Sequence, residues 1–134
     1  HTRFIGEIGE DVLLVLDKVK SSSLEKVKSY VHLDPNMKVS HSETIKVKND
    51  TTSINITPIS VEEAFISKGW YSRAFNLKEE NKHITFTKSE DLDYFGYLIC
   101  INDTKSYAKI ANDKLTIRTG KEYIINLNEL GELI

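Results

Sequence analysis

Hydrophobic side chains recur at every second position along this sequence, and that period restricts the fold more than any other feature. The segment TIKVKN puts Ile45 and Val47 on one side and Thr44, Lys46 and Lys48 on the other. SINIT repeats the pattern with Ile54 and Ile56, HITFT with Ile84 and Phe86, and KLTIRT with Leu115 and Ile117. EYIINLN offers Tyr123, Ile125 and Leu127. Alternation sends successive side chains to opposite faces, the habit of a strand with one buried and one wet face. DVLLVLDKV is apolar on both faces, which predicts a strand inside a sheet covered on two sides.

Turn signals divide these strands at short intervals: Asn49–Asp50, Asn112–Asp113 and Thr119–Gly120. AKIANDKLTI and LTIRTGKEYI therefore predict consecutive hairpins, a meander near the end of the chain. SVEEAF has the wording of a single helical turn capped by Ser60, with Glu63 three residues on. No linker, internal repeat or low-complexity block interrupts the chain. The expectation is all-β: one antiparallel β-sandwich domain over residues 1–134, of about ten short strands with little or no helix.

A length of 134 residues provides for one domain with one core. A net charge of −2 gives no electrostatic footprint for nucleic acid. The longest apolar runs, Val12–Leu16 and Leu98–Ile101, fall far short of the roughly 20 residues that cross a bilayer, so no membrane partner is expected. The one cysteine, Cys100, excludes an internal disulfide and, set among Leu98, Ile99 and Ile101, is expected to be an inert strand residue. HTRFIGEIGE is already patterned as folded sequence and lacks an initiator methionine, so the chain is expected to be a piece of a longer protein. Asn49, Asn55 and Asn102 open Asn-x-Thr sequons, which matter only in a eukaryotic secretory pathway.

Reaction chemistry is thinly represented. His1, His32, His41 and His83 form no close pair at ligand spacing along the chain, so no metal site and no cofactor are expected within it. His32, between Val31 and Leu33, reads as a wet-face or sheet-end residue. No nucleophile elbow, phosphate loop or dinucleotide fingerprint is present. Asp11, Asp17 and Asp34 read as solvated strand-end carboxylates, able to act as acid and base only if the fold gathers them. Lys18, Lys20, Lys26, Lys28, Lys46 and Lys48 read as solvated strand faces and edge guards, with a polyanion-binding stripe as the alternative. Gly69-Trp70-Tyr71-Ser72-Arg73 stands above this background. Trp70 and Tyr71 are candidate sugar-stacking rings, and Arg73 a candidate two-point partner for a carboxylate or sulfate. Against that stands a packing role, with Trp70 plugging the sandwich and Arg73 lying over its ring.

The order of these segments resembles the C-terminal β-sandwich of heparinase II/III-like polysaccharide lyases. That family has an H-x-R strand, a hydrophobic strand ending in Asp, and a strand closing on His-Leu-x-Pro. His1, Arg3, Val12 to Asp17, His32, Leu33 and Pro35 stand at the matching places. The family's Gly-Trp-x-Ser-x-x-Phe/Tyr-Gly-x-Lys-Glu follows about 35 residues on, matched by Gly69, Trp70, Ser72, Phe75, Lys78 and Glu79. The resemblance spans roughly residues 1–101. Asn76 replaces the usual glycine, and Arg73 occupies a position that is small and proline-like in the family.

The resemblance implies a parent enzyme with an N-terminal helical toroid and a large β-sandwich, cleaving uronate-containing acidic polysaccharides by β-elimination. Neutralising the uronate, removing its C5 proton and protonating the leaving oxygen fall, in the family, to an Asn or His, a Tyr and a His. Those motifs, with the His/Asp ligands of a structural divalent metal, precede the matched stretch, so no catalytic residue carries over. Expected partners are the toroid domain and, through the parent, the polysaccharide. A degradative parent implies a periplasmic or secreted location, and one serving capsule synthesis a cytoplasmic one. Two other readings remain open: a self-standing carbohydrate-binding sandwich using Trp70, Tyr71 and Arg73, and a packing module for another domain. For Trp70 the comparison favours a docking or core-lining role, with Arg73 as the exposed contact.

Overall fold

The computed structural model describes residues 1–20, 26–102 and 104–130. Its first six strands are β1 (Thr2–Glu7), β2 (Val12–Lys18), β3 (Lys28–His32), β4 (Lys38–His41), β5 (Ile45–Lys48) and β6 (Ser53–Ile59). Six more follow: β7 (Val61–Tyr71), β8 (Glu79–Lys88), β9 (Tyr94–Ile101), β10 (Tyr107–Ala111), β11 (Lys114–Arg118) and β12 (Glu122–Asn126). A four-residue helix, α1 (Leu127–Leu130), closes the described chain.

Three antiparallel sheets result. The largest has the order β1-β2-β9-β6-β5-β4; β3-β8-β7 and β10-β11-β12 form two smaller ones. Alternation along β2 shows how they stack. Val12, Leu14 and Leu16 face one core, with Leu98 and Cys100 of β9 and Leu115 and Ile117 of β11. Val15 faces the other, with Tyr97, Ile45, Ile56, and Ile84 and Phe86 of β8. The six-stranded sheet is thus a middle layer, and β2 is the doubly covered strand its composition predicts.

The turns follow the chemistry of their residues. Asn112 and Asp113 both hold positive φ (52° and 60°), joining β10 to β11 in the left-handed turn that matches strand twist. The Asn49 side chain accepts from the amides of Thr51 (2.9 Å) and Thr52 (2.7 Å), closing the β5–β6 turn. The meander is pinned to the middle layer at its start, where Thr57 and Ser106 hydroxyls lie 2.7 Å apart. At its end Leu127 is buried, and its carbonyl accepts from the Tyr94 hydroxyl at 3.1 Å.

One expectation is corrected here. Residues 61–66 are not a helical turn but the start of β7, the longest strand among those described. Ser60 takes positive φ (52°), and a bulge between Val61 and Glu63 sets the register. Ala64 and Ile66 then pair with Phe86 and Ile84 and pack into the second core. That burial outweighs a single capped turn, which leaves most of its hydrogen bonds unmade.

Candidate functional site

The Gly69–Arg73 segment lies where β7 and β8 outrun their neighbour. β3 pairs with β8 as far as His32↔His83, whereas β7 and β8 continue through Lys68↔Lys82 to Tyr71↔Glu79. The continuation is a two-stranded ribbon closed by residues 72–78. Ser72 Oγ donates to the Ala74 carbonyl (2.8 Å), the Leu77 amide returns to the same carbonyl (3.1 Å), and Asn76 holds φ 62°. Asparagine accepts this left-handed backbone as glycine does.

The ribbon is stitched to the segment that leaves β3. The Leu33 amide donates to the Lys82 carbonyl (3.0 Å), and Asn81 Nδ2 donates to the Leu33 carbonyl (3.0 Å). Arg73 Nη2 reaches Asp34 Oδ1 at 3.5 Å, and its Nε reaches Glu79 Oε1 at 3.7 Å. HLDP and GWYSRAF, about 35 residues apart in sequence, are therefore neighbours in space.

Three apolar side chains of the tip are exposed. Trp70 is 63% exposed, Phe75 93% and Leu77 56%. Trp70 does not plug the sandwich. Lys78, rather than Arg73, supplies the cation over its ring, with Nζ 4.7 Å from the centroid. Tyr71 is 38% exposed and, as the next residue in the strand, projects from the opposite face of the ribbon. Arg73 is half-exposed and held by two carboxylates.

A second cluster joins the first landmark segments. Arg3 grips Asp17 with two parallel bonds, Nε to Oδ1 at 2.7 Å and Nη2 to Oδ2 at 2.8 Å. His1 Nε2 adds a contact to Oδ1 at 3.1 Å, and Ser29 Oγ lies 3.5 Å from Arg3. Asp17 is 2% exposed, so the expectation of a solvated strand-end carboxylate is corrected. Its hydrogen bonds to Arg3 raise the guanidinium's pKa further. Both carboxylate oxygens are taken up in joining β1 to β2. Asp11 sits in the β1–β2 turn with φ 63°, so the fold does not gather Asp11, Asp17 and Asp34 into a pair.

Cys100 is fully buried, and burial pushes its thiol pKa up, away from the nucleophilic thiolate. Among the described residues no group of three His, Cys, Asp or Glu side chains could hold a metal ion. Sequence spacing also missed one juxtaposition: His32 and His83 are direct cross-strand partners, with ring centroids 5.6 Å apart. They are 51 residues apart in sequence, and only strand pairing brings them together.

These features define an all-β sandwich-like module with structural clamps and an exposed apolar tip. The chain belongs to the heparinase II/III-like C-terminal family, whose model matches residues 1–119. Comparison with curated proteins and with solved structures returned no match.

Proposed function

We propose that this chain is the supporting β-sandwich of a larger polysaccharide lyase, docking through the β7–β8 tip onto the helical domain that carries most of the catalytic groups. The parent reaction is β-elimination of a uronate-containing glycan, and this module bounds the cleft without performing a proton transfer. Family membership supports the parentage. The observation that carries the docking role is the tip itself, where Trp70, Phe75 and Leu77 present their side chains to water at the end of an ordered hairpin. Apolar groups gathered at one spot and flanked by ion pairs have the composition of an interface core with a polar rim.

An isolated acid or base stabilises no transition state without its partners, so the chain alone is expected to be inactive on heparin, heparan sulfate or alginate. Ultraviolet absorbance of unsaturated uronate is the measurement, and robust growth of that signal with the chain alone overturns the proposal. In the parent protein, Phe75→Ser is expected to loosen the domain contact, read as faster hydrogen exchange in both domains. Oligosaccharide binding by the chain alone, read from Trp70 fluorescence, would instead favour a self-standing carbohydrate-binding module.

A further inference from the structure

The outer face of the β3-β8-β7 sheet carries a second feature, independent of docking or polysaccharide chemistry. His32 closes β3 and His83 stands opposite it on β8. Directly opposed residues of an antiparallel pair have Cβ atoms about 5 Å apart, so both rings reach over the same patch of sheet. Their centroids are 5.6 Å apart and their planes are inclined by 49°, which is neither a stacked nor an edge-on contact.

That separation matches two imidazoles on one ion. A nitrogen–metal bond of about 2.0–2.1 Å places each ring centroid about 3.2 Å from the metal. Two centroids 5.6 Å apart then subtend roughly 120° at the ion, within the range of a distorted tetrahedral site. His32 is exposed and His83 half-buried, so solvent and ions can reach the pair.

Buried atoms behind His83 supply a separate argument. His83 Nδ1 and Asn81 Oδ1 are both buried without a hydrogen-bond partner. Both point over Gly69, each 2.9 Å from where a Cβ would stand, so the missing side chain makes the space they share. Burial of Nδ1 leaves Nε2 as the His83 nitrogen that an ion can reach. A metal on Nε2 places the remaining ring proton on Nδ1. Asn81 is itself held in place by its bond to the Leu33 carbonyl.

We infer that His32 and His83 form a two-histidine site for a divalent first-row metal of the zinc class, with His83 binding through Nε2. No third protein ligand joins them among the described residues, so the remaining positions are open to water or to a donor on a bound molecule.

Zinc titration of the intact chain by calorimetry tests the site. One zinc per chain is expected, with affinity falling at least about tenfold in His32→Gln and in His83→Gln and unchanged in His1→Ala and His41→Ala. Binding should fade on acidification, because protons compete for the same lone pairs. Nitrogen-15 spectra of the zinc-bound chain should show the His83 proton on Nδ1. Thermal melts establish that the variants fold, and His32→Gln changes an exposed side chain, so its result stands even if His83→Gln unfolds. Absence of zinc binding overturns the inference, as does binding that survives His32→Gln or is lost with His1→Ala. A zinc-bound His83 carrying its proton on Nε2 overturns ligation through that nitrogen.

Discussion

Asp17 shows how a single residue changes meaning between sequence and fold. At the end of a hydrophobic strand it reads as punctuation, because nothing local announces that Arg3, fourteen residues earlier, is its register partner. Once paired, the two charges are unequal in exposure: Asp17 is 2% exposed and Arg3 43%. That asymmetry yields a prediction. Arg3→Ala strands a buried carboxylate and is expected to cost about 3 kcal/mol, the low end for a broken buried pair because solvent already reaches the guanidinium. Asp17→Asn leaves an arginine that water can hydrate, and is expected to cost only about 1 kcal/mol. Urea denaturation of both variants measures the difference, and equal costs would contradict the account. Cys100 and Tyr97 supply the pH counterpart. Burial raises the pKa of both groups, so the folded state holds their protons more tightly than the unfolded chain does. Their contribution is complete below the unfolded-state values, about 8.5 and about 10, and is lost as pH climbs through the higher folded values. The urea midpoint should therefore hold up to about pH 8 and decline above it, with Cys100→Ala delaying the onset. Gly96 and Gly69 complete this scale, because neither announces its role in sequence. A Cβ at Gly96 would run into the Val15 carbonyl of the neighbouring strand, whereas one at Gly69 would meet only the side chains of Asn81 and His83. Backbone yields less than side chains, so Gly96→Ala should destabilise more than Gly69→Ala.

Among the elements, period-two segments were readable because alternation is a property of the residues themselves. Ile45, Val47, Ile84, Phe86, Leu115 and Ile117 all lie in the cores that the pattern assigns to them. The hairpins were readable for a related reason: Asn-Asp and Thr-Gly allow backbone that other pairs resist. SVEEAF misled because its capping signal is local, while the partner that decides its fate, β8, lies about twenty residues downstream. The β7–β8 hairpin also divides into halves with different tolerance. Phe86 is fully buried between layers, and Phe86→Ala is expected to cost about 3–5 kcal/mol. Trp70, larger but 63% exposed, should change stability by no more than about 0.5 kcal/mol when replaced by Ala. Thermal or urea unfolding of the two variants decides it. A Trp70→Ala cost comparable to that of Phe86→Ala would show that the tip is part of the core. Exposure of this kind cannot be read from a tryptophan in a sequence, because whether a strand end overhangs its sheet depends on where the neighbouring strands stop.

For the molecule as a whole, the stacking of three sheets explains why DVLLVLDKV is apolar throughout and why the final meander is needed. The sequence specified the doubly covered strand but not its covers, since closing strands look alike until their partners are known. The family match ends at residue 119, so β12 and α1 lie beyond it. They nevertheless complete the first core. Leu127 is 1% exposed, its amide donates to the Asp113 carbonyl at 2.8 Å, and Tyr123 and Ile125 pack beside Leu115 and Ile117. A chain ending at Thr119 leaves β11 paired only with β10, its other edge open, and uncovers Leu115 and Ile117. Losing three apolar side chains from one core at about 2 kcal/mol each approaches the entire stability of a typical domain. The shortened chain is therefore expected to bind a hydrophobic dye and to melt without a sharp transition. A chain ending at Leu130 should keep the cooperative melt. If the two melt alike, β12 and α1 are dispensable, and the third layer is stable with β10 and β11 alone.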